Sequence, residues 1–219
     1  MSTPLLWIVI PGLIASGLYM LSKWKRITVI AGCLVAILFA RLAWSLQKGG
    51  TFSIGPWSLY ISDSLSILGR RLILTSVDRP ILVFAYSAAA FWFGGLLVAN
   101  VSSLFIPAGL GIVALLIASL AVEPFLYAAL FIEMAALLCV PLLSPSHKPA
   151  GRGVIRFLSF QTLGIPFILI TGWLATESAT EPNQVSTVLN TAILASLGFS
   201  FLLAVFPFHS WMPMLAEES

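Results

Sequence analysis

Charge is the scarcest resource in this chain of 219 residues: Asp, Glu, Lys and Arg together make up 9% of it, against 59% hydrophobic residues. Soluble domains carry roughly 25% charged residues. So few charges cannot cover a water-facing surface, and lipid is the expected solvent. No run of Lys and Arg is interleaved with base-stacking aromatics, and the net charge of +3 comes from few groups. Nucleic acid is therefore not an expected partner. Cysteine is nearly absent, with Cys33 and Cys139 each inside an apolar run. There is no CxxC and no zinc spacing, so both read as small buried hydrophobes. Apolar/polar alternation over about 10 residues is also missing, which argues against a β-barrel. No Gly-rich phosphate loop, no Ser/His/Asp arrangement in a motif context and no haem or iron–sulfur ligand set is present. No cofactor and no metal site are expected, and nothing supports a soluble-type enzyme.

Long apolar runs fill the space left by these absences. A membrane span needs about 20 mainly apolar residues. Seven segments qualify, at roughly 5–21, 27–46, 80–99, 103–121, 124–143, 154–174 and 187–206. The first has no positive n-region before it and no small-residue cleavage pattern after it, so it reads as a span and not as a secretory signal. The expected fold class is all-α, a polytopic membrane helix bundle of about seven transmembrane helices in a single membrane domain, 1–219. Lys23, Lys25 and Arg26 follow the first run, and Lys148, Arg152 and Arg156 flank the loop between the fifth and sixth. The Lys/Arg bias places both loops inside and the N-terminus outside. Lys48, Arg70, Arg71 and Arg79, in an outside stretch, run against that rule. The expected location is the cytoplasmic (inner) membrane of a prokaryote.

The stretch 47–79 is a surface element. Gly49-Gly50 and Gly55-Pro56 are turn signals, so Thr51–Ile54 and Trp57–Ile61 read as a short hairpin. In the following DSLSILGRRLILTSVD, Leu65, Leu68 and Leu72 recur at helical spacing with Arg70 and Arg71 off the stripe. That pattern predicts an amphipathic helix lying on the membrane surface.

Few residues could carry chemistry. Glu133 falls near the middle of the fifth run, in LYAALFIEMAALLCVPLL. A carboxylate at that depth costs several kcal/mol on insertion scales and must face a partner helix or a wet cavity. It reads as a proton-relay carboxyl, or as a neutral acid hydrogen-bonded between helices. Arg41 sits about a turn from the end of the second run and can snorkel. Arg156 opens the sixth, where anchoring is the plain reading. His209 lies in FPFHSWMP, whose prolines break the helix, and irregular backbone at membrane depth is tolerated only within protein or beside water. Trp7, Trp44, Trp173 and Trp211 lie near span ends and read as interfacial belts.

Glu133 together with PFHSWMP resembles the antiporter-like membrane subunits of respiratory complex I (NADH-quinone oxidoreductase), a family shared with membrane-bound hydrogenases and multisubunit cation/proton antiporters. Four features carry the likeness. LFIEMAALLCVP holds the fifth-span glutamate, and Arg156-Phe157 opens the sixth span after a basic loop. Gly198-Phe199 leads to Pro207-x-His209-x-Trp211-x-Pro213, and Asp63-Ser64-Leu65-Ser66 precedes the third span. The likeness covers most of the chain, weakly before residue 100. It implies a non-redox membrane subunit of a redox-driven, proton-translocating assembly, with Glu133 as a candidate proton relay and His209 and Arg156 as lesser candidates. It implies other membrane subunits as partners, beside the lipid bilayer.

Three departures qualify that implication. The family's pumps carry a lysine five residues before the Pro of Pro-x-His, where this chain has Leu202. The family has about twice as many spans, so this chain is expected to be the N-terminal half, split or truncated. The stretch 69–79 looks inserted. Three functions stay open: a subunit that forms or scaffolds a proton path, a structural antiporter-derived subunit that does not pump, and a component of a cation/proton antiporter. Residues 206–219 are expected to dock against another subunit or a C-terminal half.

Overall fold

A computed structural model describes residues 2–45, 51–54, 57–60, 64–67, 69–75, 77–99, 102–144, 151–180 and 185–218, without the side chains of 51–60, 67, 177–180, 185 and 218. The turn glycines 49, 50 and 55, Pro56, Lys48, Asp63 and the basic loop around Lys148 lie outside the described residues. The chain is mostly helical and folds as two compact units, 1–121 and 122–219.

In the first unit a π-helical turn, Leu5–Val9, runs into α1 (Ile10–Met20), followed by α2 (Lys25–Ser45), α3 (Arg79–Gly95) and α4 (Phe105–Ala121). The second unit holds α5 (Ala128–Leu143), entered through a 3₁₀ turn at Phe125–Tyr127, then α6 (Arg152–Thr180), α7 (Val185–Leu202) and α8 (Trp211–Glu218). Helices α1 to α7 thus overlap the seven predicted segments. Three of them, Lys25–Ser45, Phe125–Leu143 and Arg152–Thr176, are long and apolar enough to cross a membrane.

The packing is the reverse of a soluble bundle's. On α2 the buried positions are Thr28, Val29, Gly32, Ala36, Phe39 and Ala43, most of them small, and they face α3 and α4. Ile27, Ile30, Leu34, Ile37 and Leu38 are exposed. On α5 the buried residues are all alanines, while Leu130, Met134 and Leu137 point outward. Small residues inside let helix backbones approach closely, and large apolar residues outside suit an apolar solvent. Hydroxyls within these helices bond back to their own backbone, as Thr171 does to the Phe167 carbonyl at 2.7 Å and Ser200 to the Ser196 carbonyl at 2.6 Å. That removes the cost of an unpaired polar group in an apolar setting.

The stretch 47–79 holds one expected hairpin and one unexpected one. β1 (Thr51–Ile54) pairs antiparallel with β2 (Trp57–Tyr60), as the turn residues predict. The amphipathic helix expected over 63–78 is absent: β3 (Ser64–Ile67) pairs antiparallel with β4 (Arg70–Ile73), with Leu65 opposite Leu72. A separation of seven is two helical turns, and it is also the register of paired strands in which Ile67 lies opposite Arg70. Gly69, with φ +74, supplies the left-handed conformation that such a tight turn requires. The alternating Ser-Leu-Ser-Ile of β3 then fits a strand.

Two of the tryptophans read as belts pack against rings of the same chain, Trp7 buried and Trp211 half-buried. Trp7 is fully buried, in a cluster with Phe39 and Tyr86 at ring separations of 5.1–5.7 Å, and the Tyr86 hydroxyl donates to the Trp7 carbonyl at 2.9 Å. Trp211 meets Phe157 edge-on at 5.0 Å. Trp44 and Trp173 are exposed.

Candidate functional site

The second unit is built around α6. Gly164 faces the backbone of α7, 3.2 Å from an added Cβ to the Gly198 carbonyl oxygen, and Gly172 faces the 3₁₀ turn before α5. These close approaches bring α5 and α7 onto α6. Their shared apolar cluster is Ala129, Ile165 and Ile168, with Ile132, Leu169 and Leu202 against it.

One turn along α5 from Ala129 lies Glu133. Its Oε1 accepts a hydrogen bond from the Thr162 hydroxyl of α6 at 2.9 Å. Its Oε2 is inaccessible to solvent and has no hydrogen-bond partner. The carboxyl is therefore held between two helices by one oxygen, and the other is enclosed without a partner. Glu133 itself is half-buried and Thr162 is exposed, so the pair sits at the edge of the α5–α6 contact. The next turn of α6 adds a second polar feature. Pro166 has no N–H, so the Thr162 carbonyl lacks its regular i+4 donor. Hydroxyl, carboxyl and freed carbonyl thus gather at one level of an otherwise apolar helix pair. Such a carboxyl can exchange a proton at Oε2 only when a donor or acceptor is able to reach it.

The neighbouring residue, Gln161, points the other way. It is buried, and its Nε2 donates to the Leu202 carbonyl at 3.1 Å. That bond completes the end of α7. Ala204, at φ +52, takes the left-handed cap position; its N–H bonds to the Phe201 carbonyl at 3.3 Å, and the Val205 N–H to Ser200 at 3.0 Å. This pair of bonds is a Schellman cap, and Gln161 satisfies the carbonyl it leaves over. The helix accordingly ends at Leu202, four residues before the end of the predicted segment 187–206, and a 3₁₀ turn, Phe208–Ser210, follows.

The other predicted site residues are not drawn to Glu133. His209 is exposed and lies 5.8 Å from the Phe206 ring. Arg156 is exposed, its Nη1 3.5 Å from the Met214 sulfur. Arg156 belongs to the seam where α8 folds back on the start of α6, where Gly153 meets the backbone of Met214 and Leu215. The 206–219 segment, expected to dock elsewhere, thus finds part of its cover within the chain. No group of three His, Cys, Asp or Glu that could hold a metal occurs among the described residues.

Thr162 and Gln161 were missed from sequence. Their signal is the Gln-Thr pair inside the apolar run RFLSFQTLGIPFILI, two hydrogen-bonding side chains with no charge to explain them. No family model, no curated protein and no solved structure matches this chain.

Proposed function

We propose that the chain is an integral membrane subunit of seven spans, belonging to a complex I-like, redox-driven proton-translocating assembly, and that Glu133 is the proton-holding carboxyl it contributes. The observation that carries this reading is the Glu133–Thr162 pair: a carboxyl in the middle of an apolar helix, fixed through one oxygen, with the other unpartnered. A polar pair at the edge of an apolar exterior is costly against lipid, which supports coverage by another membrane subunit. The likeness of LFIEMAALLCVP and PFHSWMP to antiporter-like subunits supports the same assignment.

Leu202 supports a second reading, a structural antiporter-derived subunit without pumping activity. Where the family carries a lysine, Leu202 packs with Ile132 and Leu169 against Ala129, Ile165 and Ile168. On this reading Glu133 is a hydrogen-bonded neutral acid, and the charge that would gate it comes from a neighbour or not at all. The two readings separate in inverted membrane vesicles that carry the intact assembly, with electron transfer and internal pH followed together. Glu133→Gln keeps an acceptor for Thr162 but cannot hold a proton. The pumping reading expects electron transfer to persist with a large loss of proton uptake per electron, and partial recovery in Glu133→Asp. Unchanged proton uptake in Glu133→Gln, with the assembly intact, selects the structural reading.

A further inference from the structure

Between α2 and α3 runs an open groove of about 670 Å³. Its floor is made by residues too small to fill the space between the helices: Cys33 and Ala40 on α2, Ser87, Ala90 and Gly94 on α3. Phe91 forms a wall, and the exposed residues Ile30, Leu34 and Phe84 continue the apolar exterior on the same two helices. Along α3 the lining runs from Val83 to Gly95, about 18 Å at about 1.5 Å per residue. One leaflet of a bilayer is about 15 Å deep, half of a core of about 30 Å.

The groove is charged at one end only. Arg41 and Trp44, one turn apart near the C-terminus of α2, line it there. The Arg41 guanidinium is exposed and makes no hydrogen bond or ion pair with the described residues. Arg79, which opens α3, lies over the Trp44 ring with its Cζ 5.8 Å from the centroid. The acid next in sequence, Asp78, is engaged elsewhere: its Oδ2 accepts from the Thr75 N–H at 2.9 Å and from the Thr75 hydroxyl at 3.0 Å. Among the described residues no carboxylate lines the groove. Two guanidiniums held at the mouth of an apolar channel of about leaflet length match a phosphate joined to a hydrocarbon chain.

We propose that this groove is a binding site for an anionic phospholipid, with one acyl chain laid between α2 and α3 and the phosphate on Arg41 and Arg79. Arg41 donates in a fork to the phosphate oxygens, and Trp44 holds Arg79 in position beside it. The site rests on the membrane reading of α2 and α3 but not on the role of Glu133.

The test is native mass spectrometry of the full chain in detergent, titrated with phosphatidylglycerol or with phosphatidylcholine of the same acyl chains. The wild type is expected to retain phosphatidylglycerol preferentially. Arg41→Gln lowers that retention about tenfold, the loss of one charged contact, and Arg41→Lys lowers it less. Ala90→Phe fills the groove, leaves both arginines in place and abolishes retention of either lipid at this site. Arg26→Gln, at the opposite end of α2, leaves it unchanged. Equal retention of the two lipids by the wild type overturns the proposal. So does retention undiminished in both Arg41→Gln and Ala90→Phe, or lowered as much by Arg26→Gln. Flotation of the wild-type chain with vesicles of the two lipids is measured in parallel. Co-flotation without selective retention sinks the lipid site and leaves the membrane reading standing, and a chain that does not float sinks both.

Discussion

Gly172→Ala probes the packing of the second unit. A Cβ on Gly172 would lie 2.6 Å from the Leu126 Cα and 2.7 Å from its N, with the Phe125 carbonyl carbon at 3.2 Å. These are backbone atoms of the 3₁₀ turn that enters α5, so no rotamer change relieves the clash. Helix α6 must move away from the turn by most of an ångström. Overpacking of this kind costs about 1–3 kcal/mol, and the better helix propensity of alanine returns up to about 1 kcal/mol. Gly17→Ala in α1 serves as the reference, because nothing lies within 4 Å of its added Cβ. Only the propensity gain operates there, so the difference between the two variants isolates the steric cost, about 2 kcal/mol. Equilibrium unfolding in mixed micelles, followed by circular dichroism, measures both. A Gly172→Ala protein as stable as Gly17→Ala would refute the close contact between α6 and the entry to α5, and with it the frame that holds Glu133 beside Thr162.

Three further outcomes are expected. Tyr86→Phe removes the buried hydrogen bond to the Trp7 carbonyl and lowers stability by about 1 kcal/mol in the same assay; no change would mean that the π-helical turn does not depend on that bond. Gln161→Leu deprives the Leu202 carbonyl of its donor at a cost of about 1–2 kcal/mol, visible as faster amide exchange over 200–205 if the cap depends on it and absent there if it does not. With Cys33 and Cys139 replaced by alanine, a membrane-impermeant maleimide added to whole cells should label a cysteine at position 178 and not one at 146; labelling at 146 would refute the N-outside orientation.

Much of the helix placement was legible because long, mainly hydrophobic runs leave a plain signature. The features that failed to show were those whose residue patterns serve two structures equally. Leu65 and Leu72 fit a helical stripe and a hairpin register alike, and only the backbone of Gly69 decides between them. Trp7 has the composition and position of a belt residue, and its burial comes from Phe39 and Tyr86, which are 32 and 79 residues away. Such contacts follow from how helices assemble, and no local pattern contains them.

The candidate site divides in the same way. Glu133 is legible alone because a carboxyl in an apolar run has no cheap explanation. Its partner is not, because a threonine in such a run already has one: most hydroxyls here bond to their own helix, as Ser159 does to the Ile155 carbonyl and Thr171 to Phe167. Thr162 departs from that habit, and Pro166 four residues later frees the carbonyl of the same residue. Leu202 shows the converse. Its side chain joins the apolar cluster one turn from Glu133 while its carbonyl is held by Gln161. A cation at that position would have to displace packing that α5, α6 and α7 share. The second oxygen of Glu133 is enclosed and has no hydrogen-bond partner, so a partner reaches it only if the α5–α6 contact opens at the edge where Thr162 is exposed.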